Sequence, residues 1–406
     1  MKKQRGSDAI RVVMVHQYDP TLETQVGGVE VFVNTFVKYA PEDIEVRMVG
    51  ITSDARAHPV GRWQPITLGG RRTQFLPLVA AQPGRSRGVP LSAKLTWALA
   101  RSARQIELDN AVLTFNRIEP TLAVARRSAP TVLFMHTHTK DLYNPMTEIT
   151  WRKAPRVYQW LEGRLMPRVA RIFVVREDAA ADYRSRFPAV ASRIQFLPTW
   201  VDEDLFVSWP EVKRQSERRA LAQQHGLDPE RRWLLFIGRF EGAKDPLLLL
   251  DALRHMDPST QVAMIGRGTL EPEIRARIAQ HKLDGVRLIS PQPQRELVRW
   301  LNAGDCLCQS SAFEGMPLAM LEALQCGVPV VSTATGGQTP HILRGRAGLV
   351  VGERTPQALA RGLADVLSRE PDREVCRKAV APYGARKSLQ GVYAAYREVH
   401  AARSLQ

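Results

Sequence analysis

The chain has 406 residues, of which 44% are hydrophobic and 7% aromatic, enough to bury a core in each of two domains of ordinary size. Its 57 Lys and Arg against 41 Asp and Glu leave a net charge of +16, yet no helix-turn-helix, zinc or RNP pattern accompanies it, so nucleic acid is not the expected partner. No stretch approaches the roughly 20 apolar residues of a membrane span. The basic start at 1–5 leads into a run broken by Arg11 and His16 rather than into a secretory signal. Four cysteines without a C-x-x-C pair suit a reduced, cytoplasmic setting.

In chain order, strand signals fall at residues 11–15, 45–51, 73–77, 111–115, 131–136, 171–175 and 194–198, with helical stretches between most of them. That alternation predicts a parallel, doubly wound sheet. Basic residues crowd this half, at 71–72, 85, 87, 94, 101, 104 and 126–127. Residues 151–171 then interleave Trp151, Val157, Tyr158, Trp160, Leu161, Leu165 and Met166 with Arg152, Lys153, Arg156, Arg164, Arg168 and Arg171. Two readings stand: a domain helix with a solvated basic face, or a helix resting on an anionic membrane surface. Residues 207–218 read as a connection. A second alternating series starts at Trp233 and continues at 261–266, 286–289, 305–309, 328–331 and 349–351, and residues 388–403 are helical. The expected architecture is α/β, with a Rossmann-like domain at 1–206, a second at 207–385 and a terminal segment at 386–406.

Residues 310–337, S-S-A-F-E-G-M-P-L-A-M-L-E-A-L-Q-C-G-V-P-V-V-S-T-A-T-G-G, carry the densest chemistry. An apolar run ends in Ser310 and Ser311, a Gly315/Pro317 turn follows, and Leu318, Met320, Leu321, Ala323 and Leu324 take helical spacing up to Cys326-Gly327. A loop feeding a helix N-terminus exposes N–H groups that favour anions, so Glu314 there is either a cap or a ligand contact. Glu322 points inward among apolar neighbours, where an acid needs a partner that a hydroxyl-rich ligand would supply. Arg239 and Lys244, five apart after a strand, can put two cations on one phosphate pair. Such a clamp removes the need for a bound metal, and no cofactor is expected. Asn116 and Glu119 at one strand end are sugar or acceptor candidates, or a helix cap. His136 ends the next strand, with His138 on the same side if the chain stays extended.

With those residues in view, the segment resembles the E-x7-E motif of retaining GT-B glycosyltransferases of family four. Residues 234–245 (L-L-F-I-G-R-F-E-G-A-K-D) resemble that family's strand followed by G-R-x-x-x-x-K-G, and 262–268 (V-A-M-I-G-R-G) its next strand and G-x-G turn. Residues 12–15 followed by Gly27-Gly28-Val29-Glu30 resemble its first strand and GGxE loop, and 173–175 with 197–202 (L-P-T-W-V-D) the closing strands of its N-terminal domain. The resemblance covers most of 11–370 and keeps the family's order.

The resemblance implies a GT-B fold with a terminal helix crossing back to the first domain, and transfer of a hexose from a nucleoside diphosphate sugar with retention of configuration. A GDP-sugar is favoured over a UDP-sugar, and a glycan or polyprenyl-linked acceptor on the inner face of the cytoplasmic membrane is the expected partner. Arg239 and Lys244 would clamp the diphosphate, Glu322 would hold the ribose, and Glu314 and His136 would act at the donor sugar. Backbone groups of Gly27, Gly28, Gly266, Gly268, Gly315, Met316 and Leu318 would bind sugar or phosphate oxygens. Asp245, Thr199-Trp200 and Arg176 depart from the family pattern and put local loop shape in doubt. A nucleotide-sugar epimerase on the same fold, or a binding protein without catalysis, are the competing readings. Product analysis without acceptor, or donor binding without turnover, would reveal them.

Overall fold

A computed structural model describes residues 9–22, 27–81, 89–102, 105–106, 111–125, 129–136, 138–144, 150–335, 337 and 339–404. The basic residues 1–5, Arg85, Arg87, Arg104, Arg126, Arg127 and Gly336, singled out above, lie outside the described residues.

Strands β1 (Ile10–Val15), β2 (Ile44–Thr52), β3 (Gln64–Leu68), β4 (Arg71–Ala80), β5 (Ala111–Phe115), β6 (Thr131–Met135), β7 (Arg171–Val174) and β8 (Ile194–Phe196) form one sheet in the order β3-β4-β2-β1-β5-β6-β7-β8. All its pairings are parallel except β3 with β4. The second sheet holds β9 (Trp233–Ile237), β10 (Gln261–Ile265), β11 (Val286–Ile289), β12 (Cys306–Gln309), β13 (Val330–Thr333) and β14 (Gly348–Val351), in the order β11-β10-β9-β12-β13-β14, all parallel. Apolar runs such as Trp-Leu-Leu-Phe-Ile of β9 suit this, because helices cover both faces of a parallel strand. Core residues on either face of each sheet are buried.

The differences from the sequence expectation have local causes. Strand β3 escaped notice because Pro65 interrupts its alternation, yet Gly69 and Gly70, both at positive φ (57° and 73°), make the tight hairpin that returns it to β4. A Cβ on Gly69 would lie 2.5 Å from the Asn34 carbonyl oxygen, so no side chain fits there. Strand β13 begins at Val330, not 328, since the Val328 N–H closes the preceding helix onto the Ala323 carbonyl and Pro329 has no N–H for a ladder. The expected connection at 207–218 is mostly a helix, Glu211–His225, with Arg214 Nε donating to the Asn302 carbonyl at 2.8 Å. The terminal helix, Ala385–Ser404, packs on the first domain, where Tyr393 Oη donates to the Phe36 carbonyl at 2.6 Å and Tyr396 Oη lies 2.7 Å from Thr114 Oγ1.

Of the two readings of 151–171, the structure matches the domain helix. Its helix, Pro155–Leu165, turns Tyr158, Leu161 and Leu165 into the core, and Met166 is buried just beyond it, so most of the apolar residues read as a membrane face are packed against protein. Only Val157 and Trp160 face outward, Trp160 at 64% exposure.

Candidate active site

In an open α/β sheet ligands bind beyond the carboxyl ends of the strands, where successive strands depart to opposite sides. That switch falls between β1 and β5 in the first sheet and between β9 and β12 in the second. The residues that follow these four strands are His16, Asn116, Gly238-Arg239 and Ser310-Ser311, and the functional candidates gather around them.

On the second domain, Lys244 and Glu314 form an ion pair across 70 residues of sequence, and Ser311 Oγ donates to Glu314 Oε1 at 2.7 Å. The predicted clamp lysine and the first glutamate of the motif are thus brought into contact. Gly315 abuts the first domain, since a Cβ there would lie 3.2 Å from Arg176 Cγ. Arg176 is itself held by Asp141 at 2.9 Å and Asp178 at 2.6 Å, so the arginine that departs from the family pattern braces the domain boundary. Asp245, a second departure, adopts the left-handed conformation (φ 42°, ψ 62°) and caps the helix Pro246–Leu253 by accepting from the Leu248 N–H at 3.2 Å; it also pairs with Arg354.

Glu322 lies on the helix Leu318–Gln325, 4% exposed. Burial pushes its carboxyl up to about 8, with a nearby Asp202 charge adding to the rise and the Gln294 side chain opposing it. It is therefore mostly protonated near neutrality.

On the first domain, a cleft of about 720 Å³ is lined by His16, Gly27, Gly28, Glu30, Asn116, Arg117, Glu119, His136, Trp151 and Tyr158 together with Arg239 of the second domain. The helix Gly28–Tyr39 starts at its wall, and a Cβ on Gly28 would meet nothing within 4 Å, so the first turn is open to a ligand. Glu30 folds back over Gly27, and burial raises its carboxyl while Arg239 draws it partly back down. His136 Nε2 lies 3.0 Å from Asn116 Oδ1. Burial lowers His136 to about 4 and, with the His136 ring nearby, His16 to about 3, so both imidazoles are neutral in the working pH range. Glu119 accepts from Arg117 Nη2 at 2.7 Å and from Trp151 Nε1 at 2.5 Å, which makes it the anchor of the cleft wall rather than a free acid.

The remaining candidates sit in several surroundings. His138 turns away from His136: its Nε2 sits 3.0 Å from Asp182 Oδ2 and its ring packs edge-on against Tyr183, because the chain bends into the 3-10 turn Thr139–Tyr143 instead of staying extended. Gly266 and Gly268 are required by packing, as Cβ atoms there would lie 1.9 Å from the Gly238 and 2.3 Å from the Phe240 carbonyl oxygens. The Met316 side chain is core, and Leu318 opens the helix that carries Glu322. His16, Trp151 and Tyr158 were not anticipated as site residues. For His16 the signal was a polar residue directly after the first strand; the aromatics were hidden by their place in a basic amphipathic segment.

Among the described residues, no group of three or more His, Cys, Asp or Glu is placed to hold a metal ion, and no helix is long and apolar enough to cross a membrane.

Comparison with known proteins meets this geometry. Residues 26–205 match the family described as Glycosyltransferase Family 4, and 217–381 the one described as Glycosyl transferases group 1. Together they take in both domains, and the chain belongs to this family of GT-B glycosyltransferases. Its similarity to curated proteins includes D-inositol 3-phosphate glycosyltransferases of Pseudarthrobacter chlorophenolicus (32% identity, 55% of this chain and 53% of that one) and Frankia alni (32%, 62% and 63%). The chain spans about half the length of the first of these relatives. Its fold is that of sucrose-phosphate synthase from Thermosynechococcus elongatus, with a TM-score of 0.78 at 18% identity over 97% of this chain and 99% of that one. It is also similar to Anabaena HepE, solved in complex with UDP-glucose, with a TM-score of 0.66 at 16% identity over 98% and 100%.

Proposed function

We propose that this protein transfers a hexose from a nucleoside diphosphate sugar to a hydroxyl of a glycan or lipid-linked glycan, with retention of configuration and without a metal ion. The observation that carries the proposal is that Arg239 of one domain lines one cleft with the open helix start at Gly28 and the neutral His136 of the other, while Lys244, paired with Glu314, runs past Gly238 beside Arg239. A diphosphate entering the cleft competes with Glu314 for Lys244, and the freed carboxylate then faces the hexose. Glu322 accepts from the ribose hydroxyls and gives up its proton in doing so. As the bond from the anomeric carbon to the phosphate oxygen breaks, Arg239 and Lys244 take up the charge that develops on the diphosphate. The acceptor oxygen bonds to the same face of that carbon, and its proton passes to the departing phosphate oxygen.

Relatives named D-inositol 3-phosphate glycosyltransferases favour a second acceptor class, a phosphorylated cyclic polyol. The basic, aromatic outer face of the first domain favours a lipid-linked one. Trp97 and Trp160 are each 64% exposed there, and Arg101 covers the Trp97 ring at 4.6 Å, a pattern suited to anionic headgroups.

The test is thermal stabilisation by GDP, UDP and their sugars in EDTA, repeated on Arg239→Ala and Glu322→Ala, followed by NMR of the anomeric configuration of any product. Selective stabilisation by one nucleotide, lost in both variants, is expected; stabilisation by none would refute the reading, and an inverted product would refute retention.

A further inference from the structure

His16 directly follows β1 and Asn116 directly follows β5, and the two strands pair in register with Val15 opposite Phe115. Their side chains therefore start about 4.8 Å apart at the switch point of the first sheet. His16 is 3% exposed and Asn116 7%, and both line the cleft. Neither ring nitrogen of His16, nor Nδ2 of Asn116, has a hydrogen-bond partner among the described residues. The Asn116 carbonyl is already engaged by His136 Nε2, which fixes the amide so that its two N–H donors are the part left over. A neutral imidazole adds one donor and one acceptor beside them. Buried polar groups rarely go unsatisfied, because each one left so keeps its desolvation cost without a compensating bond. Three such atoms on neighbouring strand ends, all at one cleft, point to a ligand that supplies alternating donors and acceptors at close spacing. The diphosphate-binding cations stand on the opposite domain, and the donor hexose is met by His136 at the end of β6; His16, two strand ends away across Asn116, is the part of this wall left for the acceptor.

We infer that His16, together with Asn116, reads two adjacent hydroxyls of a neutral polyol ring on the acceptor. His16 is thus a specificity-determining residue for the transfer. His16 accepts from one hydroxyl and donates to it or its neighbour, and Asn116 donates to the second. The pair selects a saccharide or cyclitol ring at this point and disfavours an apolar group, which would leave all three atoms unpaired. The inference rests on the transferase reading above.

The experiment compares the full chain with His16→Phe, which keeps the ring volume but has no polar atom, and His16→Asn, which keeps a donor and an acceptor. Three quantities are read: melting temperature without ligand, calorimetric affinity for GDP and UDP, and binding of myo-inositol and of methyl mannoside in the presence of whichever nucleotide binds. The expected result for His16→Phe is a melting temperature raised by about 1–4 °C, nucleotide affinity within about twofold, and ring binding weakened about tenfold or more. His16→Asn should recover part of the ring binding. A lowered melting temperature with ring binding unchanged in His16→Phe would overturn the inference and leave a packing histidine. Failure of the unmodified protein to bind either ring while it binds nucleotide would overturn the inference alone; failure to bind any nucleotide would overturn the transferase reading as well.

Discussion

The two sides of the cleft solve the same geometric problem with opposite chemistry. At the β9/β12 switch the groups are charged and already matched within the protein, with Lys244 on Glu314 and Ser311 supporting the carboxylate. At the β1/β5 switch the charged Arg117 and Glu119 are spent on each other, and the groups left open are neutral, with His16 and His136 kept uncharged by burial and Asn116 left with unspent donors. A charged, self-paired half suits a ligand whose charge changes during reaction, because the pair opens only when a stronger anion arrives. A neutral, under-satisfied half suits a ligand recognised by hydroxyls, since unmet hydrogen bonds discriminate more sharply than apolar contact does.

The comparison breaks most visibly at the cations. Lys244→Ala or Arg239→Ala should lower turnover by about 10²- to 10³-fold in a transfer assay, the loss typical of removing one charge-stabilising group; a loss under about tenfold would place charge stabilisation elsewhere. Glu322 sharpens the comparison through pH. Its folded value of about 8 lies above the ordinary 4.5, so the folded state holds the proton more tightly than the unfolded chain does. The stability it permits is fully present below about 4.5 and is lost as pH rises through 8. Glu322→Gln should therefore melt higher than the unmodified protein at pH 8.5, with the gap closing toward pH 5. Nucleotide binding should in turn tighten between pH 6 and 8 as the proton is displaced, measurable as proton release in calorimetry with buffers of different ionisation enthalpy. A flat profile would mean that the ribose does not meet this carboxyl.

On the neutral side, His138 provides the contrast to His136. Because it serves Asp182 and Tyr183, His138→Ala should lower the melting temperature by a few degrees while nucleotide affinity stays within about twofold, by differential scanning calorimetry and titration. The smallest effect on catalysis is expected at the outer face: Trp97→Ser with Trp160→Ser should leave transfer to a soluble acceptor unchanged and reduce sedimentation with vesicles rich in phosphatidylglycerol. Equal sedimentation of variant and unmodified protein would remove membrane contact from the proposal.

Legibility differed between the halves for the same reason that their chemistry differs. The charged half lies within short segments, 234–245 and 310–337, where strand, loop and helix follow one another and the spacing of Arg239, Lys244, Glu314 and Glu322 is set locally. The neutral half is assembled from strand ends far apart in sequence, and a single histidine after β1 carries no pattern until β5 is placed beside it. Tyr158 was visible as an aromatic, but whether it faced lipid or cleft depended on which side of the helix Pro155–Leu165 met the sheet. Local hydrophobic periodicity thus determined every strand but β3, the two-domain division and the spacing of the charged motif, because each is written within one turn or one strand of its neighbours. Only the tertiary structure decided that Lys244 rests on Glu314, that Glu119 is an anchor, that His138 turns away, and that His16 and Asn116 stand side by side, because these depend on strand order and burial between residues far apart in the chain.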